Sequence, residues 1–132
     1  MAYLLDTSIA IHAYEGAPRV LDKLLQNRGA TVISALCVAE LKRGLYREPT
    51  LAAQSSLRLD ALLEQLAMLP FDRGAVDAYE RIIARLGFSR SRDFDRMIAA
   101  HALSVNAILV TDNESDFAGI PGLVLENWVV AG

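Results

Sequence analysis

Short apolar runs alternate with helical segments along this chain, and this alternation restricts the possible folds more than any other feature of the sequence. The clearest run, at residues 107–111, reads AILVT and predicts a buried strand. Residues 3–5 and 30–34 carry similar runs, and weaker strand signals lie at residues 68–71 and 123–125. Strands that alternate with helices form a mostly parallel sheet covered on both faces. We therefore predict an α/β protein, a three-layer α/β/α sandwich with a mostly parallel central sheet.

Capping residues and helix breakers mark the helices between these strands. Thr7 and Ser8 are the expected caps of a first helix over residues 9–14, and a second helix ends near Gln26. Further helices are predicted at residues 35–47, 50–66, 73–86 and 94–104, with a polar loop at residues 90–93. The length fits a single domain spanning residues 1–132.

Composition narrows the class of protein further. Hydrophobic residues make up 53% of the chain, which supplies a sizeable core. No apolar run reaches the roughly 18 residues of a transmembrane helix, and no signal peptide is recognisable, so we expect a cytoplasmic protein. Cys37 is the only cysteine and lies in an apolar stretch, which predicts a buried, reduced thiol. The net charge of −3 means that any binding of nucleic acid must rest on local basic groups and bound cations.

Acidic residues occur where an apolar core would otherwise continue. Asp6 ends the first predicted strand, Asp112 follows the strand at residues 107–111, and Asp116 lies four residues further on. Asp95 lies in the first turn of an apolar helix, and Glu40 is embedded in an apolar run. Because the carboxyl ends of parallel strands share one edge of a sheet, we expect these acids to lie near one another. Clustered carboxylates repel, and a hard divalent cation such as Mg²⁺ or Mn²⁺ would stabilise them.

Each acid also has a simpler explanation when it is taken alone. Asp6 could cap a helix, Asp95 could complement a helix dipole, and Glu40 could pair with Arg43. Asp112 and Asp116 could be turn residues. It is the coincidence of several such acids near one edge of the sheet that favours a common site.

At these residues the sequence resembles the PIN-domain family, in particular the VapC-type toxins of bacterial toxin–antitoxin pairs. The matching segments occur in the family's order and span nearly the whole chain; they include LLDTSI (4–9), VAELKRG (38–44), DRMIAAHAL (95–103) and LVTDN (109–113), followed by DF (116–117), PGL (121–123) and ENW (126–128). The resemblance implies an α/β/α fold around a parallel sheet and a metal-dependent endoribonuclease activity, often on tRNA or ribosomal RNA, with Mg²⁺ or Mn²⁺.

The resemblance also implies the catalytic, metal-binding residues. The family's first three acids fall on Asp6, Glu40 and Asp95. For the fourth acid we favour Asp116 as a water-mediated or outer ligand, with Asp112 as the alternative, because Asn113 stands at one candidate position.

Substrate and partner are implied as well. The resemblance implies that Thr7 or Ser8 assists near the first acid, and Arg43, Arg90, Arg92 and Arg96 are candidate RNA contacts because they lie near the motif acids in sequence. The implied partner is a small DNA-binding antitoxin that inserts a tail into a groove of the toxin. A homodimer is also implied, with the apolar faces at residues 9–14 and 50–66 as candidate interfaces.

Three other classes of protein are alternatives to a ribonuclease of this family. A catalytically silent RNA- or protein-binding module on the same fold stays open. A phosphoacceptor receiver domain needs an acid beside Asp6 and a late lysine, but no lysine follows Lys42, and a haloacid-dehalogenase-like phosphatase needs an Asp where Ser8 stands. We expect His12 and His101 to be packed or to support the site from outside rather than to bind a metal.

Overall fold

A parallel sheet runs through the centre of the computed structural model, which describes residues 1–130. Within those residues the strands are β1 (Tyr3–Leu5), β2 (Thr31–Ser34), β3 (Ala67–Leu69), β4 (Ile108–Val110) and β5 (Leu125–Glu126). They lie in the order β3-β2-β1-β4-β5, and every neighbouring pair is parallel. β1 is therefore the central strand.

Helices connect these strands and cover both faces of the sheet. The described residues form α1 (Thr7–Tyr14), α2 (Pro18–Gln26), α3 (Ala35–Leu45), α4 (Pro49–Leu63), α5 (Arg73–Leu86) and α6 (Asp93–Ser104). Short 3₁₀ turns lie at Arg90–Arg92 and Glu114–Phe117. None of the helices in residues 1–130 has the length and apolar character needed to span a membrane.

Alternate residues of the central strands pack against opposite layers of helices, as the pleat of a strand requires. Leu4 belongs to a core cluster with Ile98 of α6, whereas Leu5 belongs to a second cluster with Ile9 of α1 and Trp128. Cys37 is fully buried in the first cluster, as predicted. The three-layer α/β/α architecture predicted from the sequence is confirmed.

The register of the sheet brings the ends of three strands to one level. Leu5 of β1 is paired with Ile33 of β2 and with Val110 of β4. The residues that follow these strands, Asp6 and Thr111 among them, therefore leave the sheet at the same edge. The backbone amide of Asp6 donates to the Val110 carbonyl at 3.0 Å, which continues the pairing to the start of α1.

Several predicted boundaries are wrong, and the first has a clear cause. α1 begins at Thr7 because Asp6 is its cap: Asp6 Oδ1 accepts the Ile9 amide at 3.0 Å, so Thr7 and Ser8 are helical residues and not caps. α4 ends at Leu63 instead of residue 66. The last strand lies at Leu125–Glu126 instead of 123–125, and the loop predicted at residues 90–93 is a 3₁₀ turn followed directly by α6.

Candidate active site

A cavity of about 320 Å³ lies at the carboxyl edge of the sheet and is lined by acids from four separate parts of the chain. The end of β1, α3, the first turn of α6 and the loop after β4 each contribute at least one carboxyl group. The acids that line it, which we call the acid cavity, are Asp6, Glu40, Asp95, Asp112 and Asp116. The predicted convergence of these acids on one edge of the sheet is therefore present in the structure.

Asp6 is the most buried of these acids, with 8% of its surface exposed. Its Oδ1 accepts hydrogen bonds from Ser8 Oγ at 2.6 Å and from the Ile9 amide at 3.0 Å. Burial raises the pKa of Asp6, the Ser8 and Thr111 hydroxyls and the Ile9 amide oppose that rise, and the charge of Asp112 adds to it. Asp6 is thus both a helix cap and a wall of the acid cavity, so the two interpretations offered by the sequence hold together.

The pKa of Asp95 is raised by burial and by the other acids of the cavity. Burial raises its pKa to about 6, and the negative charges of Asp116, Asp6 and Glu40 contribute in that order, while Arg92 acts in the opposite direction. A neighbouring charge shifts a pKa in this way only when the two groups lie near one another in a poorly screened environment. The four carboxyl groups therefore form one electrostatic unit.

Glu40, on α3, is half-buried and forms an ion pair with a residue outside the acid cavity. Its Oε2 lies 3.8 Å from Arg43 Nη2 one helical turn later. The Arg43 side chain is 73% exposed, so this ion pair contributes little to stability. Glu40 therefore remains available on the cavity side.

The loop after β4 carries the two remaining acids, and each is held by a neighbour. Asp112 Oδ2 accepts a hydrogen bond from His12 Nε2 at 2.8 Å, and Asp116 Oδ2 accepts one from Asn113 Nδ2, also at 2.8 Å. The sequence placed His12 outside the ligand set, but it did not reveal this partner, which is 100 residues away in the chain. His101 is buried in the core against Phe71, as expected for a packed histidine.

The candidate substrate residues fall into different places. Thr7 and Ser8 line the acid cavity. Arg43 lines a larger cavity that shares Thr7 and Glu40 with the acid cavity, and Arg92 and Arg96 line a smaller cavity that shares Asp116 with it. Arg90 is exposed in the turn before α6 and lines none of these three cavities.

The donor set of the acid cavity suits a hard divalent cation, although it is looser than the sequence suggested. In the part of the chain that the structure describes, no three His, Cys, Asp or Glu side chains are drawn together as a ready metal cage. Mg²⁺ commonly uses one or two carboxylates and keeps several waters, so ligands spread around a cavity are suitable. Thr7 Oγ1 adds a buried oxygen that has no hydrogen-bond partner among residues 1–130. These residues fit Mg²⁺ or Mn²⁺ held partly through water.

Fold and cavity together define the class of this protein: an α/β protein with an acid-lined site at the carboxyl edge of a parallel sheet. A family model described as the PIN domain matches residues 3–123. Ribonuclease VapC2 of Rickettsia felis is 33% identical over 97% of this chain and 98% of its own length. The tRNA(fMet)-specific endonuclease VapC of Shigella flexneri is 29% identical, with the same coverage of each chain.

A solved structure gives the same result. VapBC2 from Rickettsia felis, bound to a DNA fragment from its promoter, matches with a TM-score of 0.86 and 30% identity over 97% of this chain and 99% of the other. The chain therefore belongs to the PIN-domain family, among its VapC ribonucleases.

Proposed function

We propose that this chain is a divalent-metal-dependent endoribonuclease that acts as the toxin of a toxin–antitoxin pair in the cytoplasm. The observation that carries the proposal is the acid cavity, in which four parts of the chain place carboxyl groups around one space at the carboxyl edge of the sheet. Membership of the VapC ribonucleases supports the choice of RNA as substrate. The acids favour hydrolysis by a water that a bound cation activates.

Asp6, Glu40 and Asp95 would hold the Mg²⁺ or Mn²⁺ ion, with Asp116, or Asp112 as the alternative, acting through water. When bound, the cation supplies positive charge that stabilises the extra negative charge on the phosphate in the transition state and makes the attacking water more acidic. The protein's own contribution is orientation. Asp6 is fixed by its hydrogen bonds to Ser8 and Ile9.

A transfer RNA is the substrate class that we propose first. Support comes from the Shigella flexneri relative, which is named as a tRNA(fMet)-specific endonuclease. Ribosomal RNA is the alternative. The open edge of the acid cavity suits an exposed loop of a folded RNA, because a single-stranded loop can splay out its bases for recognition, whereas an A-form duplex keeps them stacked.

This chain has a groove beside the acid cavity that suits a segment of an antitoxin. A cavity of about 410 Å³, which we call the apolar groove, is lined by Ile11, Tyr14 and Leu45 among others and shares Thr7 and Glu40 with the acid cavity. We propose that a segment of a small DNA-binding antitoxin fills this groove with apolar side chains and directs a basic residue toward the acids. Exposed Leu51 and Leu57 of α4 are candidates for a homodimer contact.

The decisive test compares RNA cleavage by the wild type and by Asp95→Asn in Mg²⁺ or Mn²⁺, followed by sequencing of the fragments. Asp22→Asn, an exposed aspartate of α2, is the matched control. We expect discrete fragments from the wild type and the control, and none from Asp95→Asn or from the wild type in chelator. Equal inertness of the wild type and the variant toward diverse RNAs would favour the silent binding module instead.

A further inference from the structure

Two other cavities adjoin the acid cavity. The apolar groove shares Thr7 and Glu40 with it. A cavity of about 220 Å³, which we call the arginine cavity because Arg92 and Arg96 line it, shares Asp116 with it. The two neighbouring cavities differ in chemistry, so they suit different occupants.

The two arginines of the arginine cavity are not neutralised by acids of their own. The ion pairs within residues 1–130 join His12 to Asp112, Lys42 to Asp60, and Arg43 to Glu40, and they include neither Arg92 nor Arg96. Arg43 and Arg47 line the apolar groove, where Arg43 forms a weak ion pair with Glu40 and most of the other lining is apolar. The arginine cavity instead places two arginines without such a pair beside Asp116.

Arg96 is also held in place. Its Nη1 donates to the Gly87 carbonyl at 2.7 Å, which fixes the guanidinium at the end of α5 and leaves its other N–H groups free. Arg92 lies one turn earlier, directly before α6, and is exposed. A guanidinium presents several donors in a rigid fork that matches the oxygens of a phosphate. An anchored arginine and an exposed arginine on one cavity wall are suited to an anion.

The charge of the whole chain indicates why an RNA ligand needs such a cavity. The net charge is −3, and the acid cavity adds local negative charge where RNA must approach for cleavage, so basic groups close by have to offset the repulsion. Asp116 lines both cavities, so a strand that places one phosphate at the acids and continues past Asp116 would bring its neighbouring phosphate toward Arg92 and Arg96.

We propose that Arg92 and Arg96 bind the phosphate next to the bond that is cut, which makes the arginine cavity a subsite for the RNA backbone. The proposal rests on the proposed ribonuclease function, since it takes the scissile phosphate to lie in the acid cavity. It assigns no phosphate to Arg90, which lines none of the cavities, or to Arg43, which lines the apolar groove.

The test is the salt dependence of binding to a short single-stranded RNA of mixed sequence. An Asp95→Asn parent in Mg²⁺ is used so that the RNA is not cut during the titration. Arg92→Ala/Arg96→Ala is compared with Arg19→Ala/Arg28→Ala, which removes the same charge from exposed positions on and after α2. We expect the Arg92→Ala/Arg96→Ala variant to weaken binding at least about tenfold at low salt and to reduce the slope of log K against log salt by about 0.7, since the two arginines contact one phosphate and each phosphate contact on a single strand contributes roughly 0.7.

Each outcome has a distinct meaning. If the wild type cuts RNA but the Arg92→Ala/Arg96→Ala and Arg19→Ala/Arg28→Ala variants have equal slopes, the subsite is overturned and the proposed function is not. Failure of the wild type to cut RNA and of the parent to bind it would overturn the proposed function and the subsite with it. Because loss of Arg96 also removes its bond to Gly87, Arg92→Ala alone provides a check that leaves the end of α5 intact; it must lower the slope by up to about 0.7, and an unchanged slope would overturn the part of Arg92 in the subsite.

Discussion

The carboxyl group of Asp95 carries an electrostatic penalty from its burial and from the acids around it. Asp95 is half-buried among three other acids, and its pKa is raised to about 6 from an ordinary value of 3.8. A folded-state pKa above the unfolded one means that the native state binds more protons between those two values. The stability that protonated Asp95 provides is therefore present below about pH 4 and is lost as the pH rises through about 6.

We predict that Asp95→Asn stabilises the protein in chelator above pH 6 and removes part of the pH dependence of its unfolding. A shift of two pKa units corresponds to about 3 kcal/mol for a fully buried group. Solvent screening of the half-exposed side chain reduces the expected gain to roughly 1 kcal/mol. Urea unfolding at a series of pH values measures the gain, with Asp22→Asn as the exposed control. A variant clearly less stable than the wild type at pH 7 would contradict a crowded acid cavity.

A second residue-scale prediction concerns the hydrogen bond from His12 to Asp112, which joins α1 to the loop after β4. Both side chains are 32% exposed, so we expect His12→Phe to lower the free energy of unfolding by about 1 kcal/mol, within the range for a hydrogen bond to a charged group at a wet surface. His12→Gln keeps an N–H donor of similar reach and should recover much of the loss. Equal unfolding curves for the two variants in chelator would show that the hydrogen bond contributes nothing.

Some of this residue-scale detail could be read from the sequence, and some could not. Asp6 was recognisable as an acid at the end of a strand because its neighbours are apolar on one side and helical on the other. The sequence offered Thr7 and Ser8 as caps of α1 and also Asp6, since all three residues are good caps and only the backbone geometry decides between them. The bond between His12 and Asp112 depends on tertiary packing, which no local pattern encodes.

At the scale of elements, the packing of α6 against α5 positions Asp95. α6 buries Ile98, Ala99 and Ala100 in the same core cluster as Ala78 of α5, and the small alanine side chains allow close packing within that cluster. Asp95 lies one turn before this contact, so its place at the acid cavity depends on the spacing of the two helices. Volume added at the contact should therefore affect the site as well as the fold.

We predict that Ala99→Leu destabilises the protein by about 1–3 kcal/mol, because Ala99 is fully buried and extra methylene groups would have to displace well-packed neighbours. Ala84→Leu, an exposed position on α5, is the matched control and should change stability by less than about 0.5 kcal/mol. Denaturant unfolding gives both values. Similar small changes for the two variants would show that α6 can move away from α5 at little cost.

Element boundaries were less predictable than the elements themselves. α5 was predicted correctly at both ends because Asp72 caps it, with Oδ1 accepting the Ala75 amide at 3.1 Å, and Gly87 ends it with a φ of +80° that favours glycine. α4 has no side-chain cap and no glycine after it, so its apolar pattern ran on through Leu66, beyond the observed end at Leu63. Boundaries were therefore clear where a side chain or a glycine marks them.

At the scale of the whole molecule, metal binding and folding are expected to be coupled. The acids of the cavity come from residues 6, 40, 95, 112 and 116, so only the folded chain brings them around one space. A cation that binds the native state alone stabilises it in proportion to the logarithm of its concentration. A bound cation offsets the repulsion among the acids, so it should stabilise the folded sheet that brings them together.

We predict that Mn²⁺ raises the melting temperature of the wild type in a concentration-dependent way. At a hundred times the dissociation constant the gain is about 2.7 kcal/mol, which corresponds to roughly 10 °C for a domain of this size. Asp95→Asn should lose most of this shift, while Asp22→Asn should keep it, since Asp22 lies on α2 away from the cavity. Identical shifts for all three proteins would mean that Mn²⁺ binds elsewhere, and they would contradict a metal site in the acid cavity.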